Sequence, residues 1–123
     1  MKTSELQGVA LDWAVAKCEG VAVEYLNDGI TRCLLQKPSG RYAPSTNWAQ
    51  GGPIIEKENM KVFPNVGGRW SAQIRHTVNH PLVAHPVLDG WTNGAGDTPL
   101  IAAMRAYVAS KLGDEVEIPE GLA

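Results

Sequence analysis

The chain has 123 residues, the size of one domain, and 44% of them are hydrophobic, enough for a single core and too many for a disordered chain. Its net charge is −2, from 11 basic and 13 acidic residues. No basic block is present, which excludes the electrostatic footprint of a protein that binds nucleic-acid polymers but leaves a small nucleotide open. No run of about 18 apolar residues is present to span a bilayer, and "MKTSELQGVALD" lacks the charged and apolar regions of a signal peptide, so a cytoplasmic protein without a membrane partner is expected.

Ser4 and Gln7 have the S-x-x-Q spacing of a capping box, with Glu5 near the positive end of the dipole. Leu6, Val9, Ala10, Trp13, Ala14 and Lys17 then recur at helical spacing as far as Gly20, which predicts a helix over 4–19. Asp12 and Glu19 read as acids on its solvent side. "VAVEYL" (21–26) and "ITRCLLQ" (30–36) flank "NDG", the pattern of a β-hairpin. Cys18 and Cys33 have no CxxC spacing and read as small buried hydrophobes rather than a disulfide.

The next stretch, "RYAPSTNWAQGGPIIE" (41–56), is too long for a tight turn and too rich in Gly and Pro for a helix. It is read as part of a long irregular loop over about 37–53, in which Ser45 or Thr46 caps one turn that Gly51–Gly52 ends. "MKVFP" and "RWSAQIR" form a second hairpin through "NVGG". In its second strand Trp70, Ala72 and Ile74 face one way, and Arg69, Ser71, Gln73 and Arg75 the other, as a half-exposed antiparallel strand requires. Residues 76–97 read as a second long irregular loop. Thr98 as N-cap and Pro99 at N1 open a final helix over 98–112, with Leu100, Ile101, Met104, Tyr107, Val108 and Leu112 on one broad face. An acidic tail follows, in which "VEI" suits an edge strand. The fold class expected is α+β: a single domain over 1–123, with two amphipathic helices on a small antiparallel sheet of about four strands in two hairpins.

His76, His80 and His85 cluster as H-x3-H-x4-H, but Pro81 and Pro86 push the residues before them out of the helical region, so no metal site is expected. "QGGP" and "NGAGDTP" lack the Lys and Ser/Thr of a P-loop. "NGAGDTP" does precede a helix N-terminus, where amides favour an anion. No pair of carboxylates and no nucleophile is placed by spacing, so no catalytic residue and no cofactor is assigned, and a non-enzymatic protein is expected.

Tryptophan is the strongest compositional signal, with 4 in the chain. Trp13 and Trp70 sit on predicted apolar faces. Trp48 and Trp91 lie among Gly, Asn and Thr, where a ring is either a plug over the core or a platform for a planar ligand or partner. With Tyr42 nearby, the 42–52 segment is the candidate ligand site. Tyr42 and Trp48 would stack, Ser45, Thr46, Asn47 and Gln50 would hydrogen-bond, and Gly51 and Gly52 would let the backbone approach closely. Arg75 or Arg69 would meet a phosphate, and Trp91 would add a second ring or anchor an interface.

"MKTSELQGVALDWAVAKCEG", "YAPSTNWAQGGPIIE" and "TPLIAAMRAYVASKLGDEVEIPE" together resemble the NinX-type proteins, a family of small proteins of tailed bacteriophages and prophages. The resemblance is weak through 57–97 and brings no activity or catalytic residue to carry over. It implies an accessory phage gene product in a bacterial host. Such proteins often counter host defence by binding a host protein or trapping a nucleotide signal. The expected function is sequestration of a small nucleotide-like ligand by a homo-oligomer. The alternative is a protein–protein module that inhibits or adapts a host or phage protein.

Overall fold

A computed structural model of the chain describes residues 1–37, 40–78, 82 and 87–122. In chain order the elements are a 3-10 turn (Thr3–Glu5), α1 (Gly8–Glu19), β1 (Glu24–Asn27), β2 (Arg32–Gln36), β3 (Gly40–Tyr42), α2 (Trp48–Lys57), β4 (Lys61–Pro64), a 3-10 turn (Val66–Gly68), β5 (Trp70–Val78), β6 (Val87–Gly96) and α3 (Pro99–Leu112). The class is α+β, with the single sheet of the sequence reading replaced by two antiparallel sheets, β1-β2-β3 and β4-β5-β6. Each expected hairpin has acquired a third strand from a stretch read as irregular.

The first added strand is short. Gly40–Tyr42 pairs with β2 through Leu34↔Tyr42 and Gln36↔Gly40. The second spans half of the expected 76–97 loop. β6 pairs with β5 from Trp70↔Gly96 to Val78↔Val87, with a bulge after His76. Its glycines, which conceal the strand in the sequence, permit close packing. A Cβ on Gly94 would lie 2.5 Å from both Ala102 O and Ala106 N, and one on Gly96 would lie 2.6 Å from Ile101 Cγ2. α3 therefore rests directly on β6, small residue against small residue. Leu100, Ala102, Ala103, Met104, Ala106, Tyr107 and Val108 are all buried, so α3 is enclosed on most sides rather than along one stripe.

The other added element is α2. Asn47, not Ser45 or Thr46, is its N-cap, and the Asn47 side chain accepts from Ala49 N at 2.9 Å. The helix runs through Gly51, Gly52 and Pro53 instead of stopping there. Pro53 removes a hydrogen bond that a helix ordinarily makes, and tertiary packing outweighs that loss. Gly51 is buried where a side chain would strike the Pro44 carbonyl and the Leu100 side chain, so the helix seats its backbone against α3.

α1 starts later than its capping signal. Gln7 is the N-cap residue, with no side-chain cap, while Ser4 lies within the preceding 3-10 turn. Its buried set includes Leu11, Asp12 and Val15 as well as the expected Ala10 and Ala14. The reason is that α1 lies between two cores. One joins Leu11 and Val15 to Ile54, Ile74, Met104 and Tyr107, and the other joins Ala16 to Leu34, Tyr42 and Leu122. Trp13 borders both, and Trp70 packs against the first. α3 begins and ends as the sequence indicates, with Thr98 Oγ1 accepting from Ile101 N at 3.1 Å. The tail forms an isolated bridge, Lys2↔Glu115, in place of an edge strand. Cys18 and Cys33 are free thiols, Cys33 buried and Cys18 half-buried.

Candidate functional site

The segment 42–52, read above as a binding surface, is largely engaged in holding the fold. Tyr42 is 7% exposed among Ala16, Leu34 and Leu122, and burial pushes its hydroxyl up to about 12. Ser45 is buried, and its amide donates to Asp12 Oδ1 at 2.8 Å. Gln50 accepts from Ala43 N at 2.6 Å and donates to Arg41 O at 2.8 Å, so its amide closes the loop on itself. Asn47 caps α2, Gly51 is sealed against Pro44 and Leu100, Gly52 lies beside the Trp48 ring, and Thr46 is exposed. Trp48 is 56% exposed on α2. None of these residues lines the clefts of about 600 Å³ and 390 Å³.

Two acids read as surface groups are not at the surface. Asp12 is 6% exposed, and burial pushes its carboxyl up to about 6 against the lowering effect of the Ser45 amide and hydroxyl. The Ser45 hydroxyl faces that carboxyl without closing a hydrogen bond of good geometry. Glu19 accepts from the Tyr107 hydroxyl and from Lys57 Nζ at 2.7 Å. Burial opposes its ionisation, but these two partners outweigh it and hold the carboxyl below its ordinary range. The group ties α1, α2 and α3 together at their C-terminal ends.

The larger of these two clefts is the one of about 600 Å³. One wall is built by the two ends of the chain, which zip together. Thr3 N donates to Asp114 O at 2.9 Å, Thr3 Oγ1 to Gly113 O at 2.6 Å, and Val116 N to Met1 O at 2.9 Å. Lys2, Thr3, Ser4, Asp114 and Glu115 line this side.

The facing wall is the outer face of β4-β5-β6, contributing Phe63, Ser71, Gln73 and Asn93, with Asn65 from the turn. Strand register explains the grouping. Phe63↔Ser71↔Ala95 form one row across the sheet and Lys61↔Gln73↔Asn93 the next. All of them project away from Ala72 and Ile74, which face the core. Gln73 Nε2 donates to Asn93 Oδ1 at 2.9 Å, and Asn65 Nδ2 to Ser71 Oγ at 2.8 Å. Gln73 Oε1 and Asn93 Nδ2 have no partner among the described residues, leaving an acceptor and a donor side by side. Phe63 is 38% exposed beside them.

Arg105 joins the two walls. Its Nε donates to Leu6 O at 2.7 Å and its second guanidinium nitrogen to Ala95 O at 2.9 Å. The second of these bonds anchors the guanidinium to β6. Burial, with Arg69 nearby, lowers its pKa from the ordinary arginine value.

Among the residues singled out from sequence, Arg75 and Trp91 do come together. They are register partners on the same outer face, in the row after Gln73–Asn93. Lys61 Nζ sits 5.5 Å from the Trp91 ring centroid. Arg69 instead pairs with Asp97 at 3.1 Å, just before α3, and the Thr98 hydroxyl caps the N-terminus of that helix. His76 falls on β5, and His80 and His85 lie outside the described residues. Among the described residues no group of three or more His, Cys, Asp or Glu side chains could hold a metal ion.

The sequence reading identified the polar outer face of β5 but not its partners. Asn93 was concealed inside "TNGAG", while Arg105 carried a signal, a lone guanidinium in the apolar run "LIAAMRAYV". The family described as Bacteriophage P22, NinX matches residues 2–111. The chain belongs to that family. No curated protein matches it. The NinX match spans both walls of the cleft except for the 113–116 segment of the C-terminal strap, and it includes residues 57–97. No helix among the described residues of this NinX-family chain is long and apolar enough to cross a membrane.

Proposed function

We propose that this phage protein is a non-enzymatic binder that sequesters a small nucleotide-derived molecule, of the kind that carries a host-defence signal, in the cleft between the terminal strap and the β4-β5-β6 face. The observation that carries the reading is the lining. A volume of about 600 Å³ falls within the size of small-molecule sites, roughly 300–1,000 Å³. Its polar groups are mostly neutral amides and hydroxyls, with one aromatic ring. The adjacent acceptor and donor of Gln73 and Asn93 complement the edge of a heteroaromatic base, and Phe63 offers a flat apolar neighbour.

Calorimetry of the purified protein against cyclic nucleotides and ADP-ribose derivatives tests this. One class is expected to bind, and Gln73→Ala or Asn93→Ala to weaken it by about 10-fold each, the value of one hydrogen bond of roughly 1.4 kcal/mol. Absence of heat from every compound at protein concentrations well above micromolar would remove the proposal.

A second reading, a protein–protein module, is favoured by the exposure of Trp48. A large ring exposed on a helix surface, outside the lining of both clefts, is the kind of anchor that interfaces use. In that case a host or phage partner would be lost with Trp48→Ala and retained with Gln73→Ala.

A further inference from the structure

We propose that the molecule held in the cleft is an anionic, phosphate-bearing nucleotide, and that Lys61, Arg75 and Trp91 form the subsite for its phosphate and sugar. This deepens the reading above and rests on it.

Among the described residues no helix packs on the outer face of β4-β5-β6. Its rows run Phe63–Ser71–Ala95, then Lys61–Gln73–Asn93, then Arg75–Trp91. Neighbouring residues on one face of a strand are about 6.5–7 Å apart. Arg75 and Trp91 therefore begin where the Gln73–Asn93 amide pair ends, and the sheet face continues beyond the cleft lining into a cationic, ring-bearing patch.

Two cations and an aromatic ring share this part of the sheet face. Lys37, Lys57, Arg69 and Lys111 each lie within 2.7–3.4 Å of a carboxylate. Lys61 and Arg75 are exposed and have no carboxylate partner among the described residues. Two such cations on one sheet face of a chain with net charge −2 leave a local positive potential there. Trp91 is 39% exposed, and its ring holds the Lys61 ammonium by a cation–π contact at 5.5 Å. That contact limits where the Lys61 side chain can go, while Arg75 presents a planar fork suited to phosphate oxygens. A base edge on Gln73 and Asn93 would direct its sugar over Trp91 and its phosphate between Lys61 and Arg75. A neutral nucleoside would satisfy only the first of these contacts.

The test compares matched probes by calorimetry: adenosine and guanosine against their 3′,5′-cyclic monophosphates, with ADP-ribose as an extended form, at low and high salt. The phosphorylated member is expected to bind about 10-fold more tightly than its nucleoside at low salt, with the advantage shrinking as salt rises. The Lys61→Gln/Arg75→Gln double variant is expected to lose that advantage and keep its melting temperature, since both side chains are exposed. Gln73→Ala should weaken nucleoside and nucleotide alike. Equal binding of nucleoside and nucleotide, or an advantage that survives in the double variant, overturns the phosphate subsite while leaving the cleft reading intact. Failure of every probe to bind overturns both.

Discussion

Gly94→Ala is expected to destabilise the protein by at least about 3 kcal/mol, a fall in melting temperature of roughly 10 °C or more for a chain of this size. A methyl group at position 94 would point from β6 into α3, where it meets the Ala102 carbonyl oxygen and the Ala106 nitrogen at 2.5 Å and the Ala106 Cα at 2.9 Å. All three are backbone atoms, so no rotamer change relieves the clash. Either α3 lifts off the sheet or β6 bends away, and each movement opens a core that contains Ala72, Ile74, Met104 and Tyr107. The control lies on the same strand. A Cβ on Gly90 has nothing within 4 Å, and replacing a strand glycine there reduces the freedom of the unfolded chain. Gly90→Ala should therefore melt within about 1 kcal/mol of wild type, or slightly above it. A Gly94→Ala protein as stable as Gly90→Ala would contradict the packing of α3 on β6.

Asp12→Asn is expected to have the opposite sign at neutral pH. Burial holds the Asp12 carboxyl at about 6 in the folded protein, against an ordinary value of 3.8. The folded state thus binds this proton more tightly than the unfolded state does. The stability linked to it is fully present below about pH 4, is lost as pH rises through 6, and is absent at pH 7 and above. A shift of this size corresponds to a few kcal/mol at most, with each pKa unit worth about 1.4 kcal/mol. Asparagine keeps the acceptor for the Ser45 amide, now at 2.8 Å, and its NH2 supplies a donor to a Ser45 hydroxyl that otherwise lacks a partner. The variant should gain about 1–2 kcal/mol at pH 7.5 and differ little from wild type at pH 4, as measured by urea midpoints at the two pH values. A loss of stability at pH 7.5 would show that the ionised carboxylate is required where it lies.

The start of α3 and the turn of the first hairpin were the most legible parts. Thr98–Pro99 opens a helix for local reasons, a hydroxyl cap and a residue that needs no N–H, and the structure uses both. The Asn27–Gly29 turn is equally local, with the Asp28 carboxylate accepting from Ile30 N at 2.9 Å and from Thr31 N at 2.6 Å. The middle was misread because its local signals point the wrong way. Gly51, Gly52 and Pro53 disfavour a helix, and Gly90, Gly94 and Gly96 disfavour a strand. At Gly51, Gly94 and Gly96 what decides is contact with α3, which needs backbone without side chains and which no local pattern records. Burial of Asp12 has the same origin, since the 43–47 turn folds over it from 33 residues away.

The candidate site was legible in one row only. The alternation of Ser71, Gln73 and Arg75 indicated an open face, and Arg75 and Trp91 were singled out without any sign that they are neighbours. Tyr42 and Gln50 resemble ligand-binding groups in composition, but one belongs to a core and the other to a loop closure. An aromatic or amide side chain has the same appearance in a sequence whether its partner is a ligand or its own backbone.

Chemical-shift mapping tests the location of binding most directly. Isotope-labelled protein titrated with cyclic nucleotides and ADP-ribose should show its largest amide shifts at Phe63, Asn65, Ser71, Gln73 and Asn93, extending to Arg75 and Trp91 for phosphorylated compounds. Largest shifts at residues 42–50, or a spectrum unmoved by every compound, would contradict a binding cleft on the β4-β5-β6 face.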